Sequence, residues 1–251
     1  VEETQKLLQQ MPEEAWNSIE YMEAAIQARS LPIVELLIAA KPNYQKRREA
    51  GNTALCTAAS LAGGEGMVQE LLSKKIGHPA LALKRAAAHG NIATMRHLLA
   101  PGAKGCPNAL QAAAQNAQVD CIKLLLEHGT PPNVCEPEPP RESSIAYALL
   151  PNEPKAATPE EWQRREETVR LLLQNGANPN FGPLPPLLSL CYHSWSIPVE
   201  TRREFLRLLL EAGANPNATY PCGKTALTLL KELGVDEEMV RILTEAGGKG
   251  E

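Results

Sequence analysis

The chain has 251 residues, 43% of them hydrophobic but only 4% aromatic, and a net charge of −4. That balance gives no general attraction to nucleic acid or to an anionic membrane surface. No run of about 18 apolar residues could span a bilayer, and no basic-then-apolar leader opens the sequence. A core so poor in rings must be filled by Ala and Leu.

Residues 1–17 are expected to form an N-terminal helical cap, with one helix over Glu2–Met11 and another opening at Met11-Pro12-Glu13-Glu14. From Ser18 onward the chain repeats itself. A phrase of two apolar residues, a polar one and further apolar ones recurs at Ile33–Ile38, Met67–Leu72, Thr94–Leu99, Cys121–Leu126, Thr168–Leu173, Phe205–Leu210 and Met239–Thr244. Each phrase is the buried stripe of an amphipathic helix, and each follows a shorter segment rich in Ala or Leu. Successive phrases end 34, 27, 27, 47, 37 and 34 residues apart. The clearest example runs from Cys106 to Val134. There NALQAAAQNA breaks at Ala117-Gln118, and VDCIKLLLEHG ends at Gly129, where a helix C-cap needs positive φ. Pro131-Pro132 then prevents continuation. A helix pair this small cannot bury its own apolar face, so repetition with a basic period of about 33 residues specifies an all-α solenoid of stacked pairs. The expected domain is 18–251, in about seven helix-turn-helix units ending near residues 42, 76, 103, 134, 180, 217 and 248.

Several units carry a more specific signature. Thr53-Ala54-Leu55-Cys56-Thr57-Ala58 keeps the Thr, Leu and Ala of T-P-L-H-x-A, and Gly223-Lys224-Thr225-Ala226-Leu227 repeats its opening. Asn175-Gly176-Ala177-Asn178-Pro179-Asn180 and Ala212-Gly213-Ala214-Asn215-Pro216-Asn217 share one terminal phrase. Over about residues 18–247 the chain resembles the ankyrin repeat family. The Asn that ends the phrase is suited to tie the turn of the next unit through its side-chain amide.

Departures from a regular period mark candidate specificity elements. The third and fourth units have shortened fingers. The interval of 47 holds PPNVCEPEPPRESS, a proline-rich acidic connector. It also holds Thr158-Pro159-Glu160-Glu161, an N-cap Thr, an N1 Pro and early carboxylates. That start predicts a second helix about two turns longer than the others, with Trp162 on the extension. Cys191–Pro198 lengthens the loop inside the sixth unit. Insertions in a solenoid tend to gather on one face, often the one used.

No catalytic signature stands out. The six cysteines lack a CxxC pair and read as small buried hydrophobes in a reducing, intracellular compartment, cytoplasmic or nuclear. Cys191-x-His193 with Cys222 is too sparse for zinc, and no third group or oxyanion hole accompanies it. Thr244–Gly250 lacks the spacing of a phosphate loop. The expectation is therefore no enzyme, no cofactor and no metal.

The resemblance implies a concave groove lined by the ends of the first helices. Here those positions are Gln27, Ser60, Ala88 with His89, Gln115 with Asn116, Tyr192 with His193, and Glu232. The row is polar but mostly uncharged, which suits a protein or peptide partner with Tyr192 as anchor; the plainer reading is solvated helix ends. A second column, Arg96, Lys123, Arg170, Arg207 and Arg241, lies on the other side, with Glu127, Glu166, Glu167 and Glu211 near enough to neutralise much of it. The expected function is a monomeric, non-catalytic adaptor or scaffold with a protein partner and no nucleic acid or membrane. Glu136–Arg141, Trp162 and Trp195 are its expected specificity elements. Two other readings stay open: an ankyrin-bodied enzyme or small-molecule binder, with a pocket at the 150–165 and 191–199 insertions that uses Cys191 and His193, and a regulatory or targeting domain of a larger protein, since residue 1 is Val and not Met.

Overall fold

The computed structural model describes residues 19–40, 48–99, 106–133, 142–150, 157–193, 196–232, 234 and 236–250. The 1–17 cap, the Glu136–Arg141 finger and Trp195 lie outside them. Among the described residues the chain is all helical, with fourteen helices and no strand. The backbone packs as two compact units, Val1–Ala109 and Leu110–Glu251.

In the first unit the helices are α1 (Ile19–Gln27), α2 (Leu31–Ala40), α3 (Arg48–Ser60), α4 (Glu65–Ser73), α5 (Pro79–Ala88) and α6 (Ile92–Leu98). Each odd-numbered helix pairs with the next, α1 stacks on α3 and α3 on α5, and the second helices stack likewise. Small side chains permit this. Ala54, Ala58 and Ala59 of α3 and Ala82, Ala86 and Ala87 of α5 are all fully buried. The second helices fill the space behind them with Val34, Leu37, Met67, Val68, Leu71 and Met95, each large side chain contributing roughly 1.5–3 kcal/mol by leaving water. Gly77 marks a close approach between helix pairs. It sits at φ +81°, and a Cβ there would lie 2.6 Å from Gly51 O and 2.7 Å from Leu55 Cβ, so only glycine fits.

The expected T-P-L-H-x-A register holds in sequence, but Thr53 lies inside α3 rather than at its start. The helix begins at Arg48, so Thr53 cannot act as the cap. Thr57 Oγ1 instead donates to Thr53 O at 2.9 Å, within the helix.

The second unit holds α7 (Pro107–Gln115) from Leu110 on, then α8 (Val119–Glu127), α9 (Ser144–Leu149), α10 (Pro159–Gln174), α11 (Pro186–Tyr192), α12 (Val199–Glu211), α13 (Ala226–Glu232) and α14 (Glu237–Glu245). Here α9, α11 and α13 stack in one row and α8, α10, α12 and α14 in another. The lengthened helix is present: α10 has 16 residues against 9 in α8, and Thr158 Oγ1 caps it by accepting from Glu161 N–H at 3.3 Å. Trp162 is on that extension, yet it is only 6% exposed. It packs in the core and is not presented as a specificity element. Thr219 and Thr225 pair across a short hairpin finger, and Tyr220 anchors it by donating its hydroxyl to Leu188 O at 2.5 Å.

Asparagines tie this second unit together. Asn133 Nδ2 donates to Gly176 O at 3.1 Å while its Oδ1 accepts from Asn178 N–H at 2.6 Å. Asn180 does the same to Gly213 O and Asn215 N–H (2.8 and 2.7 Å), and Asn217 to Gly247 O and Lys249 N–H (3.0 and 2.7 Å). The side-chain tie expected of Asn180 and Asn217 is thus made, and Asn133 adds one more.

Candidate functional site

The predicted site residues fall at the ends of first helices, and their side chains are not equally available. Gln27 closes α1 and is exposed. Ser60 closes α3 and donates its Oγ to Thr57 O at 2.8 Å. Exposed His89, the residue after α5, has Nδ1 2.9 Å from Arg85 O. Asn116 Nδ2 caps α7 at Ala112 O, 2.8 Å away. Gln115 closes α7, and its carbonyl receives Arg165 at 2.8 Å. Glu232 pairs with Lys224 at 2.6 Å. Tyr192 closes α11 and is 57% exposed. Its ring meets His193 edge-on, centroids 5.0 Å apart, and burial holds the His193 imidazole below its usual pKa.

In the first unit, two of these residues meet around one cavity of about 350 Å³. It lies between α3 and α5 and is lined by Asn52, Thr53, Cys56, Thr57 and Ser60 from one helix and Arg85 and His89 from the other. The spacing explains the lining. On α3 the positions follow one face at one-turn intervals, and on α5 Arg85 and His89 are also one turn apart. Burial raises the Cys56 thiol above its ordinary pKa, while the neighbouring Arg85 opposes that rise; Cys56 therefore stays a thiol. Ser60 and His89 were expected at first-helix ends, and Asn52 and Arg85 line the same cavity beside them. The signal available was the helical offset, four residues from His89 to Arg85 and eight from Ser60 to Asn52.

The pair expected to serve an enzyme reading has a different character. Cys191 is fully buried in α11, and desolvation pushes its thiol up to about 12. A protonated thiol in the core is not an activated nucleophile.

The most buried cation among the described residues was also invisible in sequence. Arg165, in the run Arg164-Arg165-Glu166-Glu167, is 1% exposed. It donates to Ala148 O at 3.1 Å, to Gln115 O at 2.8 Å and to Glu161 Oε1 at 2.9 Å. It thus places a positive charge on the carbonyl ends of α7 and α9, where helix dipoles favour one. Desolvation lowers its pKa, and the Glu161 carboxylate counters that shift.

The basic column of the second unit is an ion-pair ladder between successive second helices. Lys123 meets Glu167 at 3.5 Å, Arg170 meets Glu204 at 2.6 Å, and Arg207 meets Glu238 at 3.6 Å. Further carboxylates on the same helices, Glu166 and Glu245 among them, contact Arg170 and Arg241. The column is compensated by Glu166 and Glu167, as expected, and by Glu204, Glu238 and Glu245 in place of Glu127 and Glu211.

Repeated helix pairs, first helices stacked on first helices, and phrases closed by Gly-Ala-Asn-x-Asn converge on one architecture. Residues 83–182 match a family model of three ankyrin repeats. Across that stretch the chain carries ankyrin repeats. Three solved ankyrin repeat structures share the fold. The ankyrin repeat domain of human ASB11 is 20% identical, with 92% of this chain and 99% of that one covered at a TM-score of 0.63. An ankyrin repeat domain from Acinetobacter baumannii AYE is 22% identical, covering 78% and 98% at 0.60. The ankyrin repeat domain of Bcl-3, described as a unique member of the IkappaB family, is 21% identical, covering 89% and 97% at 0.59. No curated protein matches the chain. Among the described residues no helix is long and apolar enough to cross a membrane.

Proposed function

We propose that this chain is a non-catalytic protein-recognition module that takes a protein or peptide along the ends of its first helices. Ankyrin repeat domains generally mediate protein–protein interaction, and Tyr192 is the observation that carries the reading here. At 57% it is more exposed than Tyr21, Leu81 or Val199, the other exposed large hydrophobics among the described residues. It stands at a first-helix end, with its ring in edge-on contact with His193. A fixed aromatic with an exposed edge is a good anchor, because little side-chain freedom remains to be lost on binding. The reading includes a monomer in a reducing compartment, supported by the free thiols of Cys56, Cys106, Cys121, Cys191 and Cys222.

The test is a pull-down from native lysate with the wild-type chain and with Tyr192→Ala/His193→Ala, each partner's affinity then being measured with purified components. The double variant is expected to bind about tenfold or more weakly at an unchanged melting temperature. A partner retained equally by both chains would remove this face from the interaction.

A further inference from the structure

The described second-helix ends of the second unit turn through a left-handed glycine, but the residue in front of it differs. His128 precedes Gly129, Asn175 precedes Gly176, Ala212 precedes Gly213 and Ala246 precedes Gly247. Of the chain's asparagines, Asn175 alone is followed by glycine. That pairing carries its own chemistry. The side-chain amide carbon of an asparagine can close a ring with the next residue's peptide nitrogen, and glycine presents that nitrogen with no side chain to shield it. Asn175 and Gly176 are both exposed, and a Cβ on Gly176 would meet nothing within 4 Å. Water and solvent base therefore reach the pair.

The closed cap withholds both reacting groups. Asn175 Nδ2 donates to Leu171 O at 2.8 Å, so the side-chain amide lies back along the last turn of α10. Gly176 N–H donates to Leu173 O at 3.1 Å, and ψ of Asn175 is 19°. Ring closure needs the Gly176 nitrogen turned onto the amide carbon, so ψ must change and both hydrogen bonds must break. The reacting state is the locally opened cap. Opening is opposed from the preceding repeat's turn. Asn133 holds Gly176 O at 3.1 Å and Asn178 N–H at 2.6 Å, just beyond the bond that must rotate.

We propose that Asn175-Gly176 is a site of spontaneous deamidation whose rate is gated by the Asn133 tie. Gly176 N gives its proton to solvent base and attacks Asn175 Cγ. The N–Cγ bond forms, the Cγ–Nδ2 bond breaks, and ammonia leaves with a proton returned from solvent, so that a cyclic imide remains. Water opens the imide at Cγ to give aspartate, or at the main-chain carbonyl to give isoaspartate; nothing is oxidised or reduced. Either product undoes the cap. A carboxylate replaces the amide donor that faced Leu171 O and sets a negative charge at the C-terminal end of α10, where the helix dipole disfavours one. Isoaspartate also inserts a methylene into the main chain ahead of Gly176, which shifts Gly176 O and Asn178 N–H away from the Asn133 amide. The reaction is a one-way, age-dependent loosening of the joint between two repeats.

The experiment incubates the full chain in mildly alkaline buffer, with and without denaturing urea. The peptide spanning residue 175 is followed by mass spectrometry, after chromatography that separates its asparagine, aspartate and isoaspartate forms. In the native wild-type chain both acids should accumulate at residue 175, more slowly than in urea, and Asn175→Gln should stop it. Asn133→Ala should speed native conversion about fivefold, the effect of losing two exposed hydrogen bonds, and leave the rate in urea unchanged. Amide exchange at Ala214 N–H, which closes α12 on Leu209 O, should keep its wild-type rate in that variant. No acid at residue 175 in the native chain by the time the urea sample has converted fully would overturn the proposal. So would equal rates with and without urea, or equal native rates for the wild type and Asn133→Ala. Acceleration at Ala214 as well would mean that the variant opens the whole unit, and would remove Asn133 as a local gate.

Discussion

The two units build the same helix pairs but close them differently. Each described second-helix end of the second unit passes through a left-handed glycine: Gly129, Gly176, Gly213 and Gly247, at φ between 75° and 89°. The residue after each donates its N–H to the carbonyl five residues back, as in Thr130 to Leu125 O at 3.0 Å and Ala214 to Leu209 O at 2.9 Å. Asn133, Asn180 and Asn217 then carry the tie to the next turn. In the first unit the one second-helix closure among the described residues has Lys75 at φ 58° and no asparagine in Lys74-Lys75-Ile76-Gly77-His78. Close backbone approach at Gly77 and two side-chain amides, Asn91 Nδ2 on Ala59 O at 2.7 Å and Gln69 Nε2 with His97 Nδ1 at 3.2 Å, do the joining instead. The fold requires that the closing carbonyls be satisfied and that consecutive turns meet. It does not prescribe whether polar cross-links or steric fit accomplish this.

The largest expected effect breaks the polar half of the comparison. Arg165→Ala leaves Gln115 O and Ala148 O without their donor and Glu161 without its partner, inside packed helix ends. Removing one member of such a buried set costs about 3–5 kcal/mol, to be read from urea denaturation of the full chain. A loss below about 1 kcal/mol, the worth of an ordinary hydrogen bond, would show that water replaces the guanidinium and that the second unit does not depend on it.

A smaller change tests the asparagine ties alone. Asn180→Ala removes two hydrogen bonds at an exposed site, where water competes, so about 1 kcal/mol is expected. Amide hydrogen exchange gives the sharper readout. Exchange at Asn215 N–H should accelerate, while Asn178 N–H, held by Asn133 Oδ1, should keep its rate. Equal acceleration at both would mean the turns open together and the ties are not independent.

How much of this was legible in sequence depended on whether the cause was local. Helix existence, the long α10, the Thr158 cap and the tying asparagines all follow from periodicity or short-range hydrogen bonding, and they were readable. The start of α3 was not, because the helix begins at Arg48, ahead of the Thr53 phrase that marks the unit in sequence. Trp162 looked like a surface insertion since its helix is lengthened, yet the extra turns pack inward. Arg165 sits in Arg164-Arg165-Glu166-Glu167, a run that reads as a solvated face; only the carbonyls of Gln115 and Ala148, 50 and 17 residues away in sequence, give it a role. The α3–α5 cavity has the same origin. Its residues are ordinary helix positions until two helices stack and set one face of each against the other.

The mildest perturbation exchanges the two closures. Lys75 is exposed and holds a left-handed conformation, which costs a residue with a Cβ roughly 1–2 kcal/mol relative to the right-handed region. Lys75→Gly removes that cost but adds backbone freedom to the unfolded chain, leaving a net gain of about 0.5–1 kcal/mol. The reverse change, Gly213→Lys, should lose a similar amount. A Cβ there would have nothing within 4 Å, so the conformational term acts without a clash. Urea midpoints of the two variants and of the double variant should shift up, shift down and nearly cancel, because the sites share no partner. If Lys75→Gly gives no gain, the side chain must make up the strain in the folded state, and the first unit's closure would be adapted to lysine rather than merely tolerant of it.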